Sequence, residues 1–155
     1  MSFAHLATIE EMSEEDCRSH LAAGRLGRLA VQAGDHPEIF PVSYVFDGTS
    51  IIFRTEPGTK LSAASMAKVA FEIDEVDRTA GTGWSVMAKG TAFDVTDSID
   101  PASQAARTTP IDSPVAADDA HWVRISRLVL SGRHLELLTP AGSESPSEPG
   151  STPAG

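Results

Sequence analysis

Four side chains set the chemical expectation for this chain: Arg54, Thr55, Thr59 and Lys60. They gather two cations and two hydroxyls within a few residues. Pro57-Gly58 breaks the chain between them, and Thr59-Lys60 is expected to open a short helix whose first amides are free. Charge-assisted donors next to free helix N-terminal amides are how proteins hold phosphate. The pattern therefore predicts a phosphate cradle. The bland alternative is two surface cations balancing an acidic protein, and the same residues allow it.

The cradle needs a scaffold, and the preceding residues supply one. Phe40, Val42, Tyr44 and Phe46 alternate with Pro41, Ser43 and Val45, the period-two signature of a half-buried strand. Asp47-Gly48 offers the positive-φ pair of a two-residue hairpin. Ile51, Ile52 and Phe53 form the return strand, which ends on Arg54-Thr55.

Before the hairpin, Ser13-Glu14-Glu15-Asp16 resembles a capping box, with Gly24 as the expected left-handed stop of a helix. Arg25 to Gln32 reads as a strand turning at Ala33-Gly34-Asp35. After the hairpin, Lys68 to Asp74 alternates as a buried strand, and Trp84 to Thr96 is a longer one with a bulge or bend at Gly90. Asp97 to Arg107 suits a short helix with Pro101 in its first turn. His121 to Leu138 reads as a strand that bends near Ser131-Gly132. About six strands with short connections argue for a mainly β, antiparallel barrel. Residues 1–12 are expected as an N-terminal arm and 13–138 as the barrel domain. The last stretch, 139–155, has only Thr, Pro, Ala, Gly, Ser and Glu, and is expected to be disordered.

Composition narrows the function. The chain has 155 residues, 41% hydrophobic content and a formal net charge of −10. That suits one domain and argues against nucleic-acid binding and docking on anionic membranes. No apolar run is long enough to span a bilayer, and the N-terminus lacks signal-peptide features, so a cytoplasmic protein is the default expectation. Cys17 stands alone, which excludes an internal disulfide and a multi-cysteine zinc site. The five histidines form no metal-type pair, and no metal is expected. There is no nucleophile elbow and no Walker loop; Gly24 and Gly27 precede a strand rather than a helix. Asp74, Glu75 and Asp77 read as a solvated strand end rather than a catalytic pair.

The segments GRLGRLAV, PVSYVFDGTSIIFRTEPGTKL, VAFEID, GWSVMAKGTA, HWVRI and SGRHLE occur in that order. The ordered set resembles the pyridoxamine 5′-phosphate oxidase-like superfamily of flavin-binding split β-barrels. The branch it is most similar to contains nitroimidazole-resistance and deazaflavin-dependent reductase proteins. The resemblance implies a six-stranded antiparallel split β-barrel with short helices, forming a homodimer with cofactor sites at the subunit interface. It implies FMN as the cofactor, with the deazaflavin coenzyme or haem as alternatives, and hydride transfer to or from a small-molecule substrate. A non-catalytic flavin or haem carrier, or an interaction module, is the competing expectation.

Carried over by position, the resemblance implies that Pro41, Val42 and Ser43 lie along the flavin ring. Phe53, Arg54 and Thr55 would line the ribityl chain and phosphate, and Lys60 and Leu61 would hold the phosphate. Trp84 and Ser85 would close the site from a partner strand, with Trp122 near the ring. Lys60 is the only cation of its loop, where relatives often carry another basic residue. Trp84 and Trp122 equally suit plain packing, Ser43 an outward strand position, and Arg124 and Arg133 pairing with acidic neighbours.

Overall fold

The computed structural model describes residues 6–57 and 67–138. In chain order the elements are β1 (Leu6–Glu11), α1 (Glu14–Ala23), β2 (Leu26–Ala33), β3 (His36–Phe46), β4 (Ile51–Thr55), β5 (Ala67–Asp77), β6 (Thr82–Asp94), α2 (Pro101–Arg107) and β7 (His121–Leu138). All strand pairings are antiparallel. Strands β2 to β7 pair in a ring, β7-β4-β3-β2-β5-β6, closed by β6 on β7. This is the expected split barrel. A seventh strand, β1, comes from the stretch expected as an arm and pairs with Arg133 to Leu138 of β7. No described helix is long and apolar enough to cross a membrane.

The split lies along one edge of β7. Its first residues pair with β4 and its last with β1. Helix α1 packs against β7 beside that gap. Ser13 Oγ accepts the amide of Asp16 at 3.1 Å and caps the helix, and Glu14, Glu15 and Asp16 complement its N-terminal dipole. Gly132 of β7 lies under α1, where a Cβ would come 2.7 Å from Cys17 Sγ. That close approach, rather than a bend at Ser131-Gly132, explains this glycine, because β7 runs unbroken through it. Gly24 likewise differs from the expected left-handed stop. Its φ is −76°, and a Cβ there would overlap the Tyr44 hydroxyl, so space selects it.

Phe40, Val42, Tyr44 and Phe46 all face inward, as their alternation predicts. They join Cys17, Leu21, Leu29, Phe53, Phe71, Val86, Val123 and Ile125 in the barrel core. Tyr44 sets its ring edge-on to Phe71, with centroids 4.8 Å apart, and donates its hydroxyl to the Leu21 carbonyl at 2.8 Å. That bond satisfies a carbonyl at the end of α1 and ties the helix to the sheet. The hairpin connection is longer than the two residues expected. Asp47 Oδ1 accepts the amides of Thr49 and Ser50 at 2.8 and 2.6 Å, and Gly48 takes φ 100°. The side chain thus builds an Asx turn in place of a tight primed turn. The bulge expected at Gly90 is present, with the β6–β7 register shifting between Lys89 and Thr91. The helix expected at Thr59-Lys60 and the tail 139–155 lie outside the described residues.

Burial pushes the Tyr44 phenol up to about 12. In the unfolded chain it titrates near 10, so its neutral form stabilises the fold fully below about pH 10 and that contribution is lost as pH rises through about 12. Denaturant midpoints measured from pH 7 to pH 11.5 should therefore show an alkaline loss on the order of 2 kcal/mol. Tyr44→Phe should cost about 1 kcal/mol at pH 7 and flatten that limb. An unchanged alkaline limb in the variant would assign the loss to other groups.

Candidate ligand site on the outer face of the barrel

Strand β4 is buried on both faces. Ile51 and Phe53 point into the core, while Ile52 belongs to a second cluster on the outside with Val95, Ala106 and Trp122. Helix α2 supplies Ala106 to this cluster, and the segment after it supplies Ile111. Asp100 caps α2 as the sequence suggests, taking the Ser103 amide at 3.0 Å, with Pro101 in the first turn.

The register sets Arg54 of β4 opposite Trp122 of β7, on this outer face. The Arg54 guanidinium carbon lies 5.4 Å from the Trp122 ring centroid. One terminal nitrogen donates to the Ile111 carbonyl at 3.1 Å. Its Nε is buried and has no hydrogen-bond partner among the described residues. An orphaned guanidinium donor is costly unless something accepts from it. A phosphate or other oxyanion beside β4 would fit; Thr55, next along the strand, is buried and its hydroxyl donates to the Glu56 carbonyl at 3.0 Å. The strand ends there, at the segment that leads to Lys60.

A hydrogen-bonded belt supports the cluster. His121 Nδ1 lies 2.9 Å from Asp94 Oδ2, and Asp94 Oδ1 takes the Thr96 amide at 3.0 Å and the Thr96 hydroxyl. Burial alone would raise the Asp94 pKa; the bonds from Thr96 and His121 outweigh it and hold the carboxyl below its ordinary value. Thr96 Oγ1 in turn accepts the Trp122 backbone amide at 3.0 Å, which anchors the main chain at the start of β7.

The remaining expected residues divide. Phe53 is fully buried in the core, on the opposite face of β4 from Arg54. Val42 also packs on the core; Pro41 is exposed and Ser43 half-buried, both outward. The β3–β4 ladder stops at Tyr44 and Phe53, one step before Ser43 and Arg54. Trp84 stacks on His20 of α1, with centroids 3.8 Å apart, and packs on the core. Trp84 and Ser85 sit opposite His134 and Arg133, at the far end of β7 from Trp122. Roughly 40 Å of strand, at ~3.3 Å per residue, separates Trp122 from His134. One copy of the chain therefore does not unite Trp84 with Arg54. Lys60 and Leu61 lie outside the described residues. Sequence reasoning missed Ile111 and the Asp94–Thr96–His121 belt, which meet only through the fold. The alternation of Trp122 and Arg124 on one strand face was the available signal for Arg124.

The pyridoxamine 5′-phosphate oxidase family profile matches residues 13–134 of this chain. An uncharacterised protein of Rhizobium meliloti is 37% identical over 68 residues, 43% of this chain and 45% of that protein. An uncharacterised protein of Mycobacterium tuberculosis is 30% identical over 95 residues, 57% of this chain and 62% of that one. The matched stretches thus span between under half and about three fifths of these curated relatives. Among solved structures, the FAD-binding protein of Mycobacterium smegmatis is 31% identical with a TM-score of 0.67, covering 82% of this chain and 98% of that one.

Arg54→Ala removes both the stacking on Trp122 and the bond to Ile111. Together these should stabilise the covering segment by about 1–2 kcal/mol. The variant should show faster amide exchange in residues 108–120 and a red-shifted Trp122 emission, while the core strands keep wild-type protection. Unchanged exchange in that segment would mean Arg54 does not hold it.

Proposed function

This chain belongs to the pyridoxamine 5′-phosphate oxidase family, and from that membership we propose that it is a flavin-binding oxidoreductase acting on a small molecule. The observation that carries the reading is the outer-face Arg54, with its orphaned Nε beside Trp122. FMN ends its ribityl chain in a phosphate, which is the acceptor this guanidinium lacks. Lys60, shortly after the strand, would add a second cation. The similar M. smegmatis protein is described as FAD-binding. FMN is one half of FAD, so the same residues would serve either, and FMN is the part this site is proposed to hold. The deazaflavin coenzyme has a longer acidic tail, and a net charge of −10 disfavours it.

The bound flavin would supply hydride transfer at its ring N5. The chain's residues would hold the phosphate, set the ring against the barrel and exclude water from one side. Arg54 is pre-positioned for this, since Trp122 and the Ile111 carbonyl already fix its planar fork. No side chain needs to act as acid or base.

We further propose that two copies form the working unit. Ile39, Ala30, Ala70, Lys89 and Val129 make one row across five strands on the uncovered outer face. Pro41, Arg28, Glu72, Met87 and Ser131 make the next. Ile39 and Val129 are 70% and 69% exposed, an unusual surface for an isolated chain. Arg28 bridges Asp74 at 2.8 Å and Glu72 at 3.6 Å amid this apolar field. A patch carrying both signs can pair with its own copy across a two-fold axis.

Two measurements test these readings. Purified protein titrated with FMN, FAD and riboflavin should bind both phosphorylated flavins, and Arg54→Ala with Lys60→Ala should weaken FMN by tenfold or more relative to riboflavin. Equal losses for FMN and riboflavin would remove the phosphate role, and no uptake of any flavin would leave the interaction-module reading. Light scattering should give a dimer that Met87→Glu dissociates at micromolar concentration, whereas a wild-type monomer would overturn the two-copy reading.

A further inference from the structure

On the same outer face, two residues along β7 from Trp122, lies a cavity of about 360 Å³ between β6, β7 and α2. Arg124, Arg127, Ser98, Ser103 and Ser126 line it, with Asp94 and Asp100. The carboxylates are engaged. Asp94 is held by Thr96 and His121, and Asp100 takes the Ser103 amide and hydroxyl as the cap of α2. The guanidinium groups keep open donors, with Arg124 also feeling the charge of the Asp100 carboxylate. Arg124 donates its Nε to Ser50 Oγ at 3.0 Å, and among the described residues its terminal nitrogens have no hydrogen-bond partner. Arg127 makes no hydrogen bond there and lies over Phe93, its guanidinium carbon 5.8 Å from the ring centroid. Ser126 Oγ is buried and unpartnered.

The backbone is bent to make this arrangement. Trp122 and Arg124 face outward on β7, while Val123 and Ile125 face the core. By strict alternation Ser126 would face outward and Arg127 would enter the core. Instead the ladder passes from Thr91↔Ser126 to Lys89↔Val129, and Arg127 takes φ 57°. It is the only non-glycine residue with positive φ among the described residues. Gly90 opposite permits it, since a Cβ there would come 2.7 Å from the Ser126 carbonyl. Bulges that re-aim a side chain, and strained backbone of this kind, cluster at functional sites.

We propose that this cavity binds a small oxyanion, a phosphate or carboxylate group, clamped by Arg124 and Arg127 with Ser126 Oγ as a further donor. Arginine pairs with open terminal nitrogens suit such groups geometrically as well as by charge. Two sources share this chemistry: the second phosphate of a dinucleotide flavin seated at Arg54, or the anionic group of a separate small molecule. The oxyanion site itself does not depend on the flavin reading.

The test uses the full chain, free of flavin, titrated calorimetrically with inorganic pyrophosphate. Arg127→Gly relieves the strained backbone and keeps the bulge, so it should fold at least as stably as the wild type and lose about tenfold or more in pyrophosphate affinity. Arg124→Gln should lose a similar factor. Absence of pyrophosphate binding, unchanged affinity in both variants, or loss only in Arg54→Ala would overturn the proposal. FAD and FMN affinities of Arg127→Gly then separate the sources. A loss for FAD alone assigns the dinucleotide phosphate, and intact binding of both flavins assigns a separate anionic molecule.

Discussion

An eighteen-residue strand paired on both edges constrains everything else in this molecule. Strand β7 carries β6 along one side, and β4 followed by β1 along the other. Antiparallel pairing fixes alternate faces, so one strand dictates which residues of three others meet. It places Trp122 against Arg54, Arg124 between Ile52 and Phe93, and Gly132 beneath α1. The gap between β4 and β1 on its edge is where the helix packs, and the Tyr44–Leu21 bond locks the helix there.

The outer surface of the barrel is divided by what covers it. Around β4 and the start of β7, α2 and the segment after it bury Ile52 and Trp122. Across β2, β3, β5, β6 and the rest of β7, aliphatic side chains stay exposed around the Arg28–Asp74 pair. The first region is sheltered enough for charge-assisted bonds to matter. The second resembles a surface awaiting a matching one. The proposed flavin and oxyanion sites both belong to the sheltered region, and the proposed two-copy contact belongs to the other.

Net charge alone is a poor guide to such sites. The chain is strongly acidic, yet the sheltered face concentrates Arg54, Arg124 and Arg127, and its acids Asp94 and Asp100 are spent on a turn and a helix cap. Local hydrogen-bond commitments decide where these charges point: the donors around Asp94 and Asp100 keep both carboxylates ionised and fix their orientation.

Period-two alternation determined the strands, because a barrel strand must send every second residue into the core. Phe40, Val42, Tyr44 and Phe46 were legible for that reason, as were the bulge at Gly90 and the proline-led start of α2. The ordered segments were enough to indicate the split barrel and its family. Strand β1 was not legible, since its stability comes from pairing with residues more than a hundred positions away. Arg54 stood out in the sequence by charge and spacing, but its orphaned Nε, its stacking on Trp122 and its bond to Ile111 exist only in three dimensions. Phe53 shows the opposite limit: adjacent to Arg54 in the chain, it lies on the other face of the same strand. The direction of Arg127 was decided by tertiary structure alone, because a register shift between two strands, invisible in either one, turned it away from the core.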